Sequence, residues 1–581
     1  MADPLIPDRL RDAYRTARDA LLAERTPAGH WVGELSSSAL STATAVGAFA
    51  LVRRHDDLIA RGLAWLSRQQ NPDGGWGDTD KSLSNISTTM LGRAAFHLAG
   101  AAVDHADCLK RADDYVRRHC GPTPADHAEA VRARYGKDRT FSVPILLTAA
   151  LAGLVEWREV PPLPFELACF PQSWFRFLRL PVVSYALPAL IAIGQAVHHH
   201  RPPRNPLTRL VRRLTRRKSL RVLQAIQPSS GGYLEATPLT SFVVMSLASI
   251  GRADHPVARK GDEFLVNSVR PDGSWPIDTN LATWVTTLAV NALAAAGDLD
   301  SLDSKVAVRD WLLKQQFREH HPYTGADPGG WGWTDLPGSV PDADDTPGAL
   351  LALSALAKGE DAADSACLDG LEWLARLRNR DGGWPTFCRG WGTLPFDRSG
   401  ADLTAHVLRA FAADQLIPGD ALGNLPDRGL AYLARQQRPD GSWLPLWFGN
   451  QHAPDDINPT YGTAKVLAAY RDLGLADREP ARRGIAFLLA IQNADGGWGG
   501  AANTPSSVEE TALAVEVLLD LAPPEARPAV ERGLRWLVEA VERGGLAEPT
   551  PIGFYFARLW YYEKLYPIIF TVAALGRAAR K

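Results

Sequence analysis

Gln492-Asn493-Ala494-Asp495-Gly496-Gly497-Trp498 ends one helical pattern and leads into another, and the same turn stands at Gln437-Arg438-Pro439-Asp440-Gly441-Ser442-Trp443 and Gln70-Asn71-Pro72-Asp73-Gly74-Gly75-Trp76. The Asp-Gly pair is turn chemistry that stops a helix. Looser copies end at Tyr233, Trp275, Trp331 and Trp384. From Trp275 onward the steps are 56, 53, 59 and 55 residues, a period that fits two helices and two connections. Upstream, Arg61-Gly62, Arg428-Gly429 and Arg483-Gly484 each begin an apolar pattern. Downstream, Ser507 to Leu519 spaces its apolar residues as a helix does, and strand alternation is scarce. Helical hairpins of this period stack around a ring. The expected fold is therefore all-α, built of α/α barrels, with each Gln bridging a helix end to the next turn and each Trp packed against it.

The rest of the chain narrows the function classes. At 581 residues it exceeds one ordinary domain of roughly 100–200 residues. A net charge of -2 argues against a general nucleic-acid binder. The 18 Trp equal the Phe and exceed the 13 Tyr, which points to a demand for indole. Five cysteines, Cys108, Cys120, Cys169, Cys367 and Cys388, form no CxxC pair, which suits a reducing compartment. The N-terminus opens no secretory pattern, and no stretch of about 18 uncharged apolar residues is apparent, so no bilayer span is expected. Residues 160–200 read as apolar and irregular, with six prolines. In the basic stretch 201–221, Leu207, Leu210, Val211 and Leu214 fall at helical spacing among Arg209, Arg212, Arg213, Arg216, Arg217 and Lys218. That segment reads either as a helix lying on an anionic membrane or as a solvated helix docked by its apolar stripe.

The chemistry-bearing motif is Asp342-Ala343-Asp344-Asp345-Thr346. Three carboxylates within four positions repel one another, and crowding with burial raises carboxyl pKa values, so that one can remain an acid near neutral pH. Acidic triplets are also common as solvated turns or cation sites. Gly329-Gly330-Trp331-Gly332-Trp333 just upstream can place aromatic faces beside the acid.

The DxDDT motif, the repeated Gln-to-Trp turns and Asp402-Leu403-Thr404-Ala405-His406 together resemble squalene–hopene cyclase and its relatives, the class II triterpene cyclases. Further likeness lies in Gly29-His30-Trp31-Val32-Gly33-Glu34, in Pro164-Phe165-Glu166-Leu167 with Pro171 to Phe175, in Trp284 to Val290, and in Tyr562 to Pro567. The resemblance implies two α/α toroids with QW repeats. Residues 1–25 and 283–581 would form the catalytic domain, and 26–282 a second barrel carrying a membrane-facing segment at 160–225. It implies that Asp344 is the proton donor, flanked by Asp342 and Asp345, with His406 supporting it and Asp402 orienting that histidine. Trp284, Trp333, Phe387, Trp447, Tyr461 and Tyr555 would line the cavity, where aromatic faces stabilise a cation by about 0.5–2 kcal/mol. No cofactor and no metal are expected, since the proton is the catalyst. The implied reaction is polycyclisation of squalene or a similar polyprene to a hopene-like or partly cyclised triterpene. The alternative is a class II diterpene or sesquiterpene cyclase that takes a prenyl diphosphate with Mg²⁺. Zinc chemistry of the prenyltransferase type would need an Asp/Cys/His site that the cysteines do not form. A lipid substrate suggests a peripheral, monotopic protein on the cytoplasmic side of a membrane; pairing into a homodimer stays open. Ala186 stands where hopene-forming relatives carry Trp, and Phe387 where they carry Tyr, differences that bear on the product.

Overall fold

Helices buried on every side and helices buried on one side alternate along the chain, and that alternation builds the molecule. The computed structural model describes residues 7–136, 138–413, 423–554 and 558–581. Ala282–Ala296, whose sequence is nearly all Ala, Thr, Val and Leu, is buried around almost its whole circumference. Arg527–Glu542 buries only a stripe of Val530, Gly533, Leu534, Leu537, Val538, Ala540 and Val541 and turns its arginines and glutamates outward. The first kind forms inner walls and the second outer walls.

Six inner helices follow one another around a closed ring: Ala282–Ala296, Asp345–Ala357, Ala401–Ala413, Pro459–Asp472, Val508–Leu521 and Tyr566–Ala579, which packs back on the first. The N-terminal helix Pro7–Ala23 lies outside this ring, against Tyr566–Ala579 and Arg527–Glu542. A second ring is made by Ala39–Val52, Ile86–Leu98, Arg139–Leu151, Val182–His200 and Thr237–Ser249, the last returning to Ala39–Val52. The fold is thus the all-α, two-toroid architecture.

The repeat turns are the mortar. Gln492 donates from Nε2 to Gly496 O at 2.8 Å and to Ala529 O, in the next outer helix, at 2.8 Å. Gln70, Gln227, Gln316 and Gln437 make the same two bonds. Trp498 donates from its indole to Leu488 O at 2.7 Å, and its backbone N–H donates to Thr511 Oγ1. Trp76, Trp275, Trp384 and Trp443 repeat this, and Tyr233 uses its hydroxyl on Leu223 O. The Arg-Gly pairs do not start helices as the sequence suggested. Gly62 lies inside Asp56–Arg68 and Gly484 inside Glu479–Ala490. The glycines are there because an indole lies flat on the helix. A Cβ at Gly484 would stand 2.7 Å from Trp443, and one at Gly533 2.6 Å from Trp498.

One repeat escaped the sequence reading. Trp31 donates to Leu21 O at 2.7 Å and its N–H reaches Thr286 Oγ1 at 3.0 Å, so it seals the outer helix Pro7–Ala23 to the C-terminal ring. Its ten-residue spacing from Leu21 matches that of Trp498 from Leu488, the signal that could have revealed it.

The 160–200 segment is less irregular than expected. Residues up to Pro181 do run through short turns and the brief helix Gln172–Phe177, but Val182–His200 is a continuous 19-residue helix with Pro188 inside it. By length and composition it could cross a bilayer, against the sequence expectation, yet 72% of its apolar window is buried as an inner wall of the second ring. The basic helix Pro206–Ala225 docks through Arg212, Ser219, Leu220 and Leu223. Its stripe of Leu207, Leu210, Val211 and Leu214 is exposed, so the reading in which that stripe docks the helix is excluded.

Candidate active site

The acidic motif folds as a loop that ends on the inner helix Asp345–Ala357. Asp342 shapes it: Oδ1 accepts the backbone N–H groups of both Asp344 and Asp345 at 2.8 Å. This is an Asx turn, the ordinary way an aspartate starts a helix. The loop is pinned at its back by Asp342 N–H to Trp331 O at 2.9 Å and by Ala343 N–H to Thr386 O at 2.8 Å. Asp342 and Asp345 are buried. Burial, and then their mutual repulsion on Asp345, push both carboxyls upward, Asp342 to about 7, so the pair retains a proton near neutral pH.

Asp344 faces the other way. Its Oδ1 lies 3.1 Å from His406 Nδ1, and its side chain is 20% exposed. With its proton on Nδ1, His406 donates to that oxygen. Burial holds the imidazole below its usual range, against the pull of Asp344. Trp284 meets the same imidazole edge-on at 6.3 Å between ring centroids, and its indole donates to Tyr566 O–H, which in turn touches Tyr561 O–H at 2.9 Å.

Asp402 departs from its expected role. It stands one turn before His406 on Ala401–Ala413, but Oδ1 accepts Leu446 N–H at 3.0 Å and Oδ2, buried, has no hydrogen-bond partner. Asp402 is therefore not bonded to the histidine it was expected to orient. Both side chains instead border one small cavity of ≈ 10 Å³ together with Asp344, Arg409, Tyr461 and Lys465. Burial, then the charge of Asp344, raises Asp402 to about 7.

The aromatic residues gather in two groups. Phe387 is the hub of one, with Tyr185 at 5.5 Å, Phe396 at 5.8 Å, Trp333 at 6.1 Å and Trp447 at 6.2 Å between centroids. Trp447 is oriented by its indole bond to Thr386 Oγ1 at 2.8 Å, the residue whose carbonyl also holds the acid loop. Tyr461 belongs to the other group, packed on Phe448 at 4.5 Å. Tyr185 and Phe396 were not singled out from sequence; Tyr185 in particular lies 202 residues from Phe387, and only tertiary packing brings the two rings together. Tyr555 lies outside the described residues. Among the described residues, no three His, Cys, Asp or Glu side chains are grouped to hold a metal ion, and no disulfide joins any of the five cysteines.

The squalene-hopene cyclase C-terminal domain model matches residues 281–580 and the N-terminal domain model residues 14–229. The chain belongs to the squalene–hopene cyclase family. Relatives in that family include a probable squalene–hopene cyclase of Sinorhizobium fredii, 25% identical with 97% of this chain and 96% of that protein covered. The squalene–hopene cyclase of Alicyclobacillus acidocaldarius is 26% identical over 97% of this chain and 96% of its own length. Among solved structures, the ent-copalyl diphosphate synthase from Streptomyces platensis shares the fold, with a TM-score of 0.59, 21% identity and coverage of 98% and 99%. The squalene–hopene cyclase family member described here is a class II terpene cyclase, an enzyme that starts cyclisation by protonation.

Proposed function

We propose that this cyclase protonates a terminal C=C bond of squalene, or of a closely similar polyprene, with Asp344 as the acid. The observation that carries the reading is the Asp344–His406 contact: one carboxyl oxygen is held by a mostly buried imidazole, leaving the other free to deliver a proton. The Asp344 O–H bond breaks as its proton joins the less substituted alkene carbon, and a tertiary cation forms on the other carbon. Each following C=C bond closes onto the cation in turn. Loss of a proton, or addition of water, ends the sequence, and the His406 N–H stabilises the carboxylate left behind. Asp342 and Asp345 hold the loop and the proton between them. Trp284, Trp333, Phe387, Trp447 and Tyr461 offer ring faces to the moving cation, and their packing excludes water that would quench it.

Incubating the purified chain with squalene and with geranylgeranyl diphosphate, each with and without EDTA, tests the substrate. Cyclic triterpene from squalene, unaffected by EDTA, is the expected result by mass spectrometry. Conversion of the diphosphate alone, lost with EDTA, would overturn it.

We also place the chain on a membrane surface, the side from which a water-insoluble substrate arrives. Trp174 and Phe177 on the short helix Gln172–Phe177 are 56% and 87% exposed, and Phe170 and Leu178 beside them are exposed too. The exposed stripe from Leu207 to Leu214 lies among arginines, the composition of an interfacial helix on anionic lipid. Wild-type protein should co-sediment with vesicles containing phosphatidylserine, and Phe177→Asp/Leu214→Asp should lose most of that binding while its melting temperature is kept. Equal binding by the double variant would remove this face from the membrane.

A further inference from the structure

We infer that Lys465 is a positioning residue of the catalytic acid: a fixed cation behind Asp344 that strengthens it as a proton donor by stabilising the carboxylate each protonation leaves. The inference rests on Asp344 being the acid, as proposed above.

Lys465 and Arg409 reach the small cavity behind Asp344 from two neighbouring inner helices, Pro459–Asp472 and Ala401–Ala413. The two cations differ in what binds them. Arg409 is committed to Asp472, Nε to Oδ2 at 2.6 Å, and Asp472 is shared with Arg471. Lys465 makes no ion pair with any carboxylate among the described residues. Its Nζ is instead held over the rings of Tyr461, at 5.2 Å, and Phe570, at 5.5 Å. An ammonium drawn out of water keeps its charge only where negative charge faces it. Burial lowers the Lys465 ammonium from its usual range; the groups working against that are Asp344 when ionised, then Glu516 and Asp402, while Arg409 adds to the lowering. Glu516 is already engaged by Arg471 at 3.1 Å and Arg577 at 3.7 Å. While Asp344 holds its proton, the carboxylate left on the cavity for Lys465 is Asp402, whose Oδ2 has no hydrogen-bond partner; Asp344 joins it once its proton has been given up.

The neighbouring histidine explains why a second cation is useful. Burial, with Arg409 and Lys465 adding to it against the pull of Asp344, keeps the His406 imidazole below its usual range, and so neutral at pH 7. His406 can then orient Asp344 through a hydrogen bond but supplies no full charge. The ammonium supplies it. When Asp344 gives its proton to the alkene, the new carboxylate meets a cation already in place, so no reorganisation is needed at that moment. The cavity has room for about one water, enough to bridge the ammonium to the carboxylates.

The test is the rate–pH profile of the full chain on squalene in detergent, from roughly pH 5 to pH 9. Lys465→Met should lower the plateau kcat about three- to tenfold, because the acid is weaker. It should also move the basic limb up by about one pH unit, because a carboxyl without its cation holds its proton longer. KM should stay unchanged, and Lys465→Arg should restore both features. A purely packing role would lower the rate without moving the limb. An unmoved limb in Lys465→Met, or an Arg variant as impaired as the Met variant, overturns the inference. If Lys465→Met fails to fold, Lys465→Gln gives the same measurement, and unfolding of both neutral variants assigns the charge to stability and overturns it too. Turnover retained by Asp344→Asn would remove the acid itself. An inactive Asp344→Asn together with an unmoved limb removes only the role of Lys465.

Discussion

Asp344→Asn should lower squalene turnover by at least about 10⁴-fold, because no other group would remain to supply the initiating proton. The substitution is nearly isosteric. The asparagine Oδ1 can still accept from His406 Nδ1, so the loop and its helix should stay in place and the melting temperature should move by no more than a few degrees. That separation matters, since the same loss of activity from a collapsed loop would carry no mechanistic weight. Asp342 is the contrasting position. Its Oδ1 accepts two backbone N–H groups, so Asp342→Ala should cost stability as well as rate. An Asp344→Asn protein that keeps even a tenth of wild-type turnover would refute the assignment and leave Asp345, buried and pushed upward, as the remaining carboxyl of the motif to examine.

What was legible in the sequence was whatever is fixed by local spacing. The Gln-to-Trp turns were readable because in most of them every partner of the Gln and Trp except the next outer helix is close in sequence, as Thr463 is to Trp443 and Thr511 to Trp498, so the repeat carries its own geometry; Trp275, whose N–H reaches Thr42, is the exception. The Asp342–Asp345 motif and Asp402-to-His406 segment were readable as motifs, and Asp344 and His406 do meet, 62 residues apart in sequence. What was not legible depends on how the ring closes. The direction of Asp402 is set by Leu446, 44 residues away on another repeat, and only coordinates show that its other oxygen is left over. Nothing in the sequence singled out Lys465; its place behind the acid follows from the packing of Pro459–Asp472 on Ala401–Ala413. The glycines of the Arg-Gly pairs were seen but misplaced, because the indole that requires them comes from a neighbouring repeat. The outward stripe from Leu207 to Leu214 is the same lesson in reverse: periodicity finds an apolar face but not which way it turns.

The largest stability effect should come from the repeat turns, and Trp443→Ala is the sharpest case. Trp443 is fully buried between three helices. Its indole N–H satisfies Leu433 O at the end of one outer helix at 2.7 Å, and its backbone N–H takes Thr463 Oγ1 on an inner helix at 3.0 Å. Its far edge lies on Gly484 of the next outer helix, where no side chain can move in to fill the space. Truncation leaves a cavity that cannot collapse and a carbonyl without its donor, so the cost should fall at about 3–5 kcal/mol, the range for large aromatic truncations. In a ring of this size that is a drop of roughly 10 °C in melting temperature. Gln437→Ala should cost less, about 1–2 kcal/mol, since it removes two hydrogen bonds to Gly441 O and Pro480 O without emptying the core. Differential scanning fluorimetry of the two variants checks both the size and the order. A Trp443→Ala protein melting within 2–3 °C of wild type would mean that the indole fills space the helices can close by themselves, and the turns would then be connections rather than the joints that hold each ring shut.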